Sequence, residues 1–150
     1  MVVMSGSVLV NIVTDGDYKL AQEMFIKKAS RAVKQGGYVY LDFTCMIAES
    51  HSNIGEESII FEGVDDMDTY GKFIFVGGTY DSQTRINDNS RRFEITPKDG
   101  EMFTITKKVV KHFPTHEQVV LWLEKYGFEV WWQSPIESET FHAIIWAKKK

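Results

Sequence analysis

The sequence predicts an α/β domain: a parallel strand pair joined by a helix, a closing antiparallel hairpin, and an antiparallel β insert between them. Three observations carry that prediction. Residues 31–43, RAVKQGGYVYLDF, run a helical pattern into Gly36-Gly37 and straight on into an apolar run that reaches Asp42. From residue 58 to residue 113 the hydrophobic period falls to two. At Pro114-Thr115-His116-Glu117-Gln118 the helical pattern returns and leads into two more apolar runs.

Val2-Val3-Met4 is a short apolar run ended by Ser5-Gly6-Ser7. Val8 to Val13 follows, and then a turn at Thr14-Asp15-Gly16-Asp17, where Asp15 or Asp17 can cap a helix. From Tyr18 to Lys34, the residues Ala21, Met24, Phe25, Ala29, Ala32 and Val33 fit one helical face. Gly36-Gly37 ends that helix, because glycine takes a left-handed cap without a Cβ clash. The continuous apolar run Tyr38 to Phe43 is the pattern of a central strand covered on both faces, as in parallel sheets. Helix, tight turn and buried strand are half of a βαβ unit, and its first strand must be Val2-Val3-Met4.

Residues 46–57 read as a polar loop. Phe73 and Phe75 alternate with Ile74 and Val76, and Phe93, Ile95, Phe103 and Ile105 flank the turn Pro97-Lys98-Asp99-Gly100. Residues 58–113 therefore predict three or four antiparallel strands, an insert subdomain within a single domain of residues 1–150. Gly77-Gly78 reads as one of its turns. Thr115 with Gln118 forms a capping-box pair, Val119, Leu123 and Tyr126 keep helical spacing, and Gly127 closes the helix. Phe128 to Gln133 and Phe141 to Ala147 then read as two strands joined by a polar loop at Pro135 to Thr140.

With 150 residues, 43% of them hydrophobic, the chain can bury one real core. A formal charge of −4 argues against a nucleic-acid partner, since no basic excess exists to displace counterions. The single cysteine, Cys45, rules out an internal disulfide, and reads as a small buried hydrophobe. No apolar run reaches the ~20 residues of a membrane span, and the first residues lack the basic start of a signal peptide. A cytoplasmic location and no membrane partner are expected. The four histidines show no metal-binding spacing: Pro114 separates His112 from His116, so the two do not share a helical face, and no metal is expected.

Taken in order, these elements resemble the C-terminal half of a class I, Rossmann-like S-adenosylmethionine-dependent methyltransferase. The stretch Ala29 to Asp42, ASRAVKQGGYVYLD, is similar to that family's R-V-L-K-P-G-G turn into its fifth strand, with Gln35 where proline is usual. Phe113-Pro114-Thr115 with Leu121 to Val130, LWLEKYGFEV, resembles its last helix running into a G-F strand, and Ile144 to Lys149 its terminal strand. The insert is similar to that of small-molecule N-methyltransferases of the glycine/sarcosine and amino-sugar types. The resemblance implies the last four strands of the methyltransferase sheet, S-adenosylmethionine as cofactor, and a small-molecule acceptor, an amine. The family's Gly-rich loop after its first strand and acid after its second have no counterpart in this sequence. A methyltransferase-like remnant serving as a binding, regulatory or dimerisation module is the alternative.

Ligands of open parallel sheets lie beyond the carboxyl ends of the strands. One such end is Met4-Ser5-Gly6-Ser7, which the resemblance places beside the cofactor's methionine part; a simple strand-ending turn is the other reading. Asn11 can hydrogen-bond in the same region. The second end is Asp42-Phe43-Thr44, where the acid can orient a cationic amine or cap the next turn. His112, near the strand-to-helix junction, can face an acceptor pocket. Tyr70, Tyr80 and Phe43 are candidates for cation–π contact with a sulfonium. Arg91-Arg92 can bind a carboxylate or line a solvated edge strand. A first strand whose outer neighbour is missing leaves an open apolar edge, so a homo-oligomer, strand exchange or a partner chain covering Val2-Val3-Met4 is expected.

Overall fold

The computed structural model describes residues 1–12, 14–45, 57–134 and 142–150. The loops expected at 46–57 and at 135–140 lie outside the described residues except for Glu57. The chain divides into two compact bodies: Met1–Ala48 with Lys111–Lys150, and Glu49–Val110.

In the first body, β1 (Val2–Met4) leads through a short 3₁₀ turn, Val8–Asn11, to α1 (Tyr18–Ala32) and β2 (Tyr38–Thr44). The second body contributes β3 (Ser58–Val64), β4 (Tyr70–Asp81) and β5 (Ile86–Thr96), and β6 (Phe103–His112) ends where the chain re-enters the first. There α2 (His116–Lys125), β7 (Phe128–Gln133) and β8 (His142–Lys149) complete the order.

The first sheet runs β1-β2-β8-β7. β1 and β2 are parallel with Met4 opposite Leu41, and β8 lies antiparallel to both β2 and β7. Alternation sends Val39, Leu41 and Phe43 of β2 and Ala143, Ile145 and Ala147 of β8 to one face. That face packs against Ile26 and Val33 of α1 and Val119, Trp122 and Leu123 of α2. The other face carries Tyr40 against Trp146, ring centroids 5.1 Å apart, edge to face. Among the described residues no strand pairs with the outer edge of β1, where Val3 is 54% exposed.

The two glycine turns serve the sheet as well as the helices. Gly36, at φ 73°, donates its N–H to the Lys149 carbonyl, and Lys149 donates back to Gly37. Gly127, at φ 81°, accepts from the Lys150 N–H. The strand β8 is thereby fastened to the ends of both helices. The Asp17 side chain caps α1 through the Leu20 N–H, and Thr115 caps α2 through the Gln118 N–H. The two helices are joined by Glu23, which accepts from Lys125 and Tyr126; these two donors hold its carboxyl below the ordinary 4.5.

Two local expectations are corrected. The buried stripe of α1 is Gln22, Ile26, Ser30 and the following Val33, whereas Met24 is 47% exposed and Ala32 lies outside. The helix is turned by about one residue step from the face its apolar residues mark, because Gln22 and Ser30 find internal acceptors. Gly77-Gly78 is not a turn. Both residues lie inside β4, at a register shift between Phe75 and Gly77, as glycine in a strand does where backbones approach closely.

The second body is a four-stranded antiparallel meander, β3-β4-β5-β6. No helix of the described residues is long and apolar enough to cross a membrane.

Candidate functional site

The carboxyl ends of β1 and β2 lie side by side because the strands are parallel and paired. Chain leaving β1 turns sharply through Gly6 at φ 71° and Ser7 at φ 56°, two consecutive left-handed residues. A serine in that region is disfavoured by its own Cβ, and three hydrogen bonds to other side chains help to hold it there. The Ser7 N–H donates to Asp42 Oδ1 at 3.0 Å, the Ser7 hydroxyl meets the Thr44 hydroxyl at 2.9 Å, and Asn11 Nδ2 donates to the Ser7 carbonyl at 3.2 Å. Asp42 thus latches the end of β2 to the turn after β1. Its side chain is 11% exposed, and its Oδ1 also lies 3.4 Å from His142 Nε2. The Tyr40 hydroxyl reaches the same carboxylate; burial first, and the Asp42 charge second, push that hydroxyl above 10 and keep it a donor.

The structure therefore brings together Ser7, Asn11, Asp42 and Thr44. Ser5 and Gly6 are exposed at the same turn, and a Cβ built on Gly6 would meet nothing within 4 Å, so the backbone there is open to a ligand. Met4 points the other way and is part of the core, 4% exposed. His112 is buried at 2% and belongs to a separate cluster around α1. There Gln22 Nε2 donates to the carbonyls of Leu9 and His112, each at 3.0 Å, and Gln22 Oε1 lies 2.8 Å from His112 Nδ1. Because both amide hydrogens are spent on carbonyls, Oε1 is the acceptor and Nδ1 carries the His112 proton. Tyr18 stacks on the imidazole at 6.1 Å.

The remaining candidates are elsewhere. Phe43 is fully buried on the helix-covered face. Tyr70 and Tyr80 belong to β4 in the second body, where the Tyr70 hydroxyl donates to Glu62. Arg92 is occupied by Glu57 and Glu94, and Arg91 by Asn89 and the Phe73 ring. Cys45 is buried in the core cluster. Tyr40 and His142 at the site, and Gln22 in the separate His112 cluster, were not foreseen. The signal for His142 is its register, since it pairs with Thr44 across β2 and β8 and so stands at the carboxyl end of the parallel pair.

His116, the first residue of α2, is 8% exposed, and its Nε2 meets no hydrogen-bond partner among the described residues. Burial holds its imidazole below the ordinary 6.5, and the Glu117 charge opposes that only in part. A depressed histidine favours the folded state only while neutral. Its contribution is complete above pH 6.5 and is lost as pH falls through the lower folded value. Denaturant midpoints measured from pH 7.5 to 5 should fall more steeply in the wild type than in His116→Gln; equal slopes would remove His116 as the cause.

No protein-family model matches the sequence, and no curated protein matches it. Solved structures do match. CalS10, an amino pentose methyltransferase from Micromonospora echinaspora solved with S-adenosylmethionine bound, aligns with a TM-score of 0.68 at 11% identity, over 99% of this chain and 57% of that one. The sugar N-methyltransferase KedS8 from Streptoalloteichus aligns with a TM-score of 0.69 at 6% identity, over 99% and 55%. An S-adenosylmethionine-dependent methyltransferase from Clostridium acetobutylicum aligns with a TM-score of 0.63 at 13% identity, over 95% and 55%. The chain spans just over half the length of these structures, and its fold is that of a C-terminal methyltransferase half.

Proposed function

We propose that this chain is the C-terminal portion of an S-adenosylmethionine-dependent methyltransferase that acts on a small-molecule amine. The observation that carries this reading is the strand order β1-β2-β8-β7 with both helices on one face, matched over nearly the whole chain in methyltransferases of amino and other sugars.

The residues at the carboxyl end of the parallel pair fit the methionine end of the cofactor. Ser5 and Gly6 offer open backbone and a hydroxyl, and Asp42 fixes the turn that presents them. When bound, S-adenosylmethionine supplies a methyl group on a sulfonium, a reaction that asks for positioning and exclusion of water more than for acid–base groups. The Asp42 carboxylate, with the His142 imidazole 3.4 Å away, gives the site a hydrogen-bonding edge suited to an amine. Thr44 and Asn11 add hydrogen-bonding groups beside it.

The Gly-rich loop and the ribose-binding acid of such enzymes have no counterpart here, so the other wall of the site comes from a further segment or a partner chain. The unpaired edge of β1 is where its strand would join. The same gap supports the second reading, a methyltransferase-like fold kept as a binding or dimerisation module. Calorimetric titration tests the division of labour. The chain alone should show no micromolar binding of S-adenosylmethionine. The chain completed by the missing segment should bind it and transfer a radiolabelled methyl group to an amino-sugar panel. Micromolar binding by the chain alone would overturn the two-part site, and a completed protein that binds without methylating would favour the module.

A further inference from the structure

Both helices of the first body pack on one face of its sheet. The opposite face carries aromatic rings in rows. Register sets Val3, Tyr40, Trp146 and Trp132 side by side across β1, β2, β8 and β7. Tyr38 and Lys148 stand in the next row of the same face. The first row is open at both ends, where Val3 is 54% and Trp132 47% exposed.

Two ring contacts on this face have the same shape. Tyr38 meets Trp131 with ring planes at 69° and centroids 6.0 Å apart, and Tyr40 meets Trp146 at 68° and 5.1 Å. Rings in edge-to-face contact set two electron-rich faces nearly at right angles, as the wall and floor of a corner. The Tyr38 corner has a cation from the chain itself: Lys148 Nζ lies 5.9 Å from the centre of the Tyr38 ring. The Tyr40 corner has none. Among the described residues no lysine or arginine lies over Tyr40 or Trp146. What stands beside it is a carboxylate. Asp42 follows Tyr40 on the same face, opposite Ile144, and accepts from the Tyr40 hydroxyl.

We propose that the Tyr40–Trp146 corner binds a small methylated ammonium ion, its methyl groups against the two rings and its charge toward Asp42. Two observations select a cation. The neighbouring corner, alike in ring angle, already holds an ammonium group, and Asp42 supplies the complementary charge. The surroundings select methylation. The rings, Val3 and Ile144 offer no strong hydrogen-bond acceptor, and Asp42 already accepts from the Ser7 N–H and the Tyr40 hydroxyl. A bare ammonium would lose its water there and leave N–H groups unmet. Methyl groups replace those N–H groups, and aromatic faces hold the charge that remains. This binding does not depend on the methyl-transfer reading, and the chain by itself should show it.

Choline is a suitable probe, titrated into the full chain and followed by the tryptophan side-chain N–H signals in NMR. It should bind with a dissociation constant of about 1 mM. The Trp146 signal should move, and that of Trp122, buried in the helix-covered core, should not. Dimethylbutanol, the same molecule with carbon in place of nitrogen, should bind at least about tenfold more weakly. Trp146→Leu removes one wall and should weaken choline binding by about the same factor. Circular dichroism reports whether that variant folds, and the comparison of choline with dimethylbutanol on the wild type needs no variant. The absence of a saturable shift up to about 20 mM choline overturns the proposal. Equal binding of the two probes also overturns it and marks a plain apolar surface. So does choline binding that survives in a folded Trp146→Leu protein.

Discussion

Gln22→Met should destabilise the protein by about 3 kcal/mol, with no change in the volume of the core. The glutamine is fully buried, and every polar atom it has is used: two N–H groups to the Leu9 and His112 carbonyls, and one oxygen to the His112 ring. Methionine fills similar space but offers none of these bonds. The Leu9 carbonyl keeps a bond from the Ile12 N–H at 3.3 Å, so its share of the loss is the smaller one. Each buried group left unsatisfied costs about 1–3 kcal/mol. Urea denaturation should show a lower midpoint at unchanged slope. A loss below about 1 kcal/mol would mean that water or local movement replaces the three bonds.

Gly78→Ala should cost a comparable amount, about 3 kcal/mol, and by a different route. A Cβ at residue 78 would stand 2.6 Å from both the Asn89 Cβ and the Asp88 carbonyl oxygen, and 2.9 Å from the Asn89 Cα. Backbone cannot step aside as a flexible side-chain tip can, so β4 and β5 must separate there or shift register. The paired asparagines feel this directly. Asn89 is 4% exposed and donates to Asn87, which is 5% exposed and donates to the Thr79 carbonyl. Hydrogen exchange should quicken along Thr79–Asn89 in the variant, with Gly71→Ala as a control that meets open space. Equal stability of the two variants would remove the close approach as the reason for glycine.

The two sites also show what can be read from residues alone. Gly36-Gly37, the Thr115 cap and the apolar run of β2 were legible because each acts within a few residues of itself. The buried face of α1 was not, because its two polar members, Gln22 and Ser30, look like solvent-facing residues until their acceptors are known. Gln22 finds one of those acceptors at His112, 90 residues away. Gly77-Gly78 misled for a related reason: a glycine pair between apolar runs signals a turn, and only the opposing strand reveals a pinch. At the candidate site, Asp42 and Ser7 could be named from their place at or just beyond strand ends. Their partner His142 could not, since the register that sets it beside Thr44 is fixed by the far end of the chain.

The place of β8 in the first sheet bears on how the protein is made. It sits between β2 and β7, yet it follows every other element in the sequence. During synthesis, Leu41, Phe43 and Phe128 must wait without their central neighbour until β8 has been translated. The meander β3-β4-β5-β6 pairs only neighbours in sequence and can close while the ribosome is still at work. A nascent chain of this protein therefore carries one finished sheet and one unfinished one, and a premature stop just before His142 would destroy the candidate site while sparing the meander.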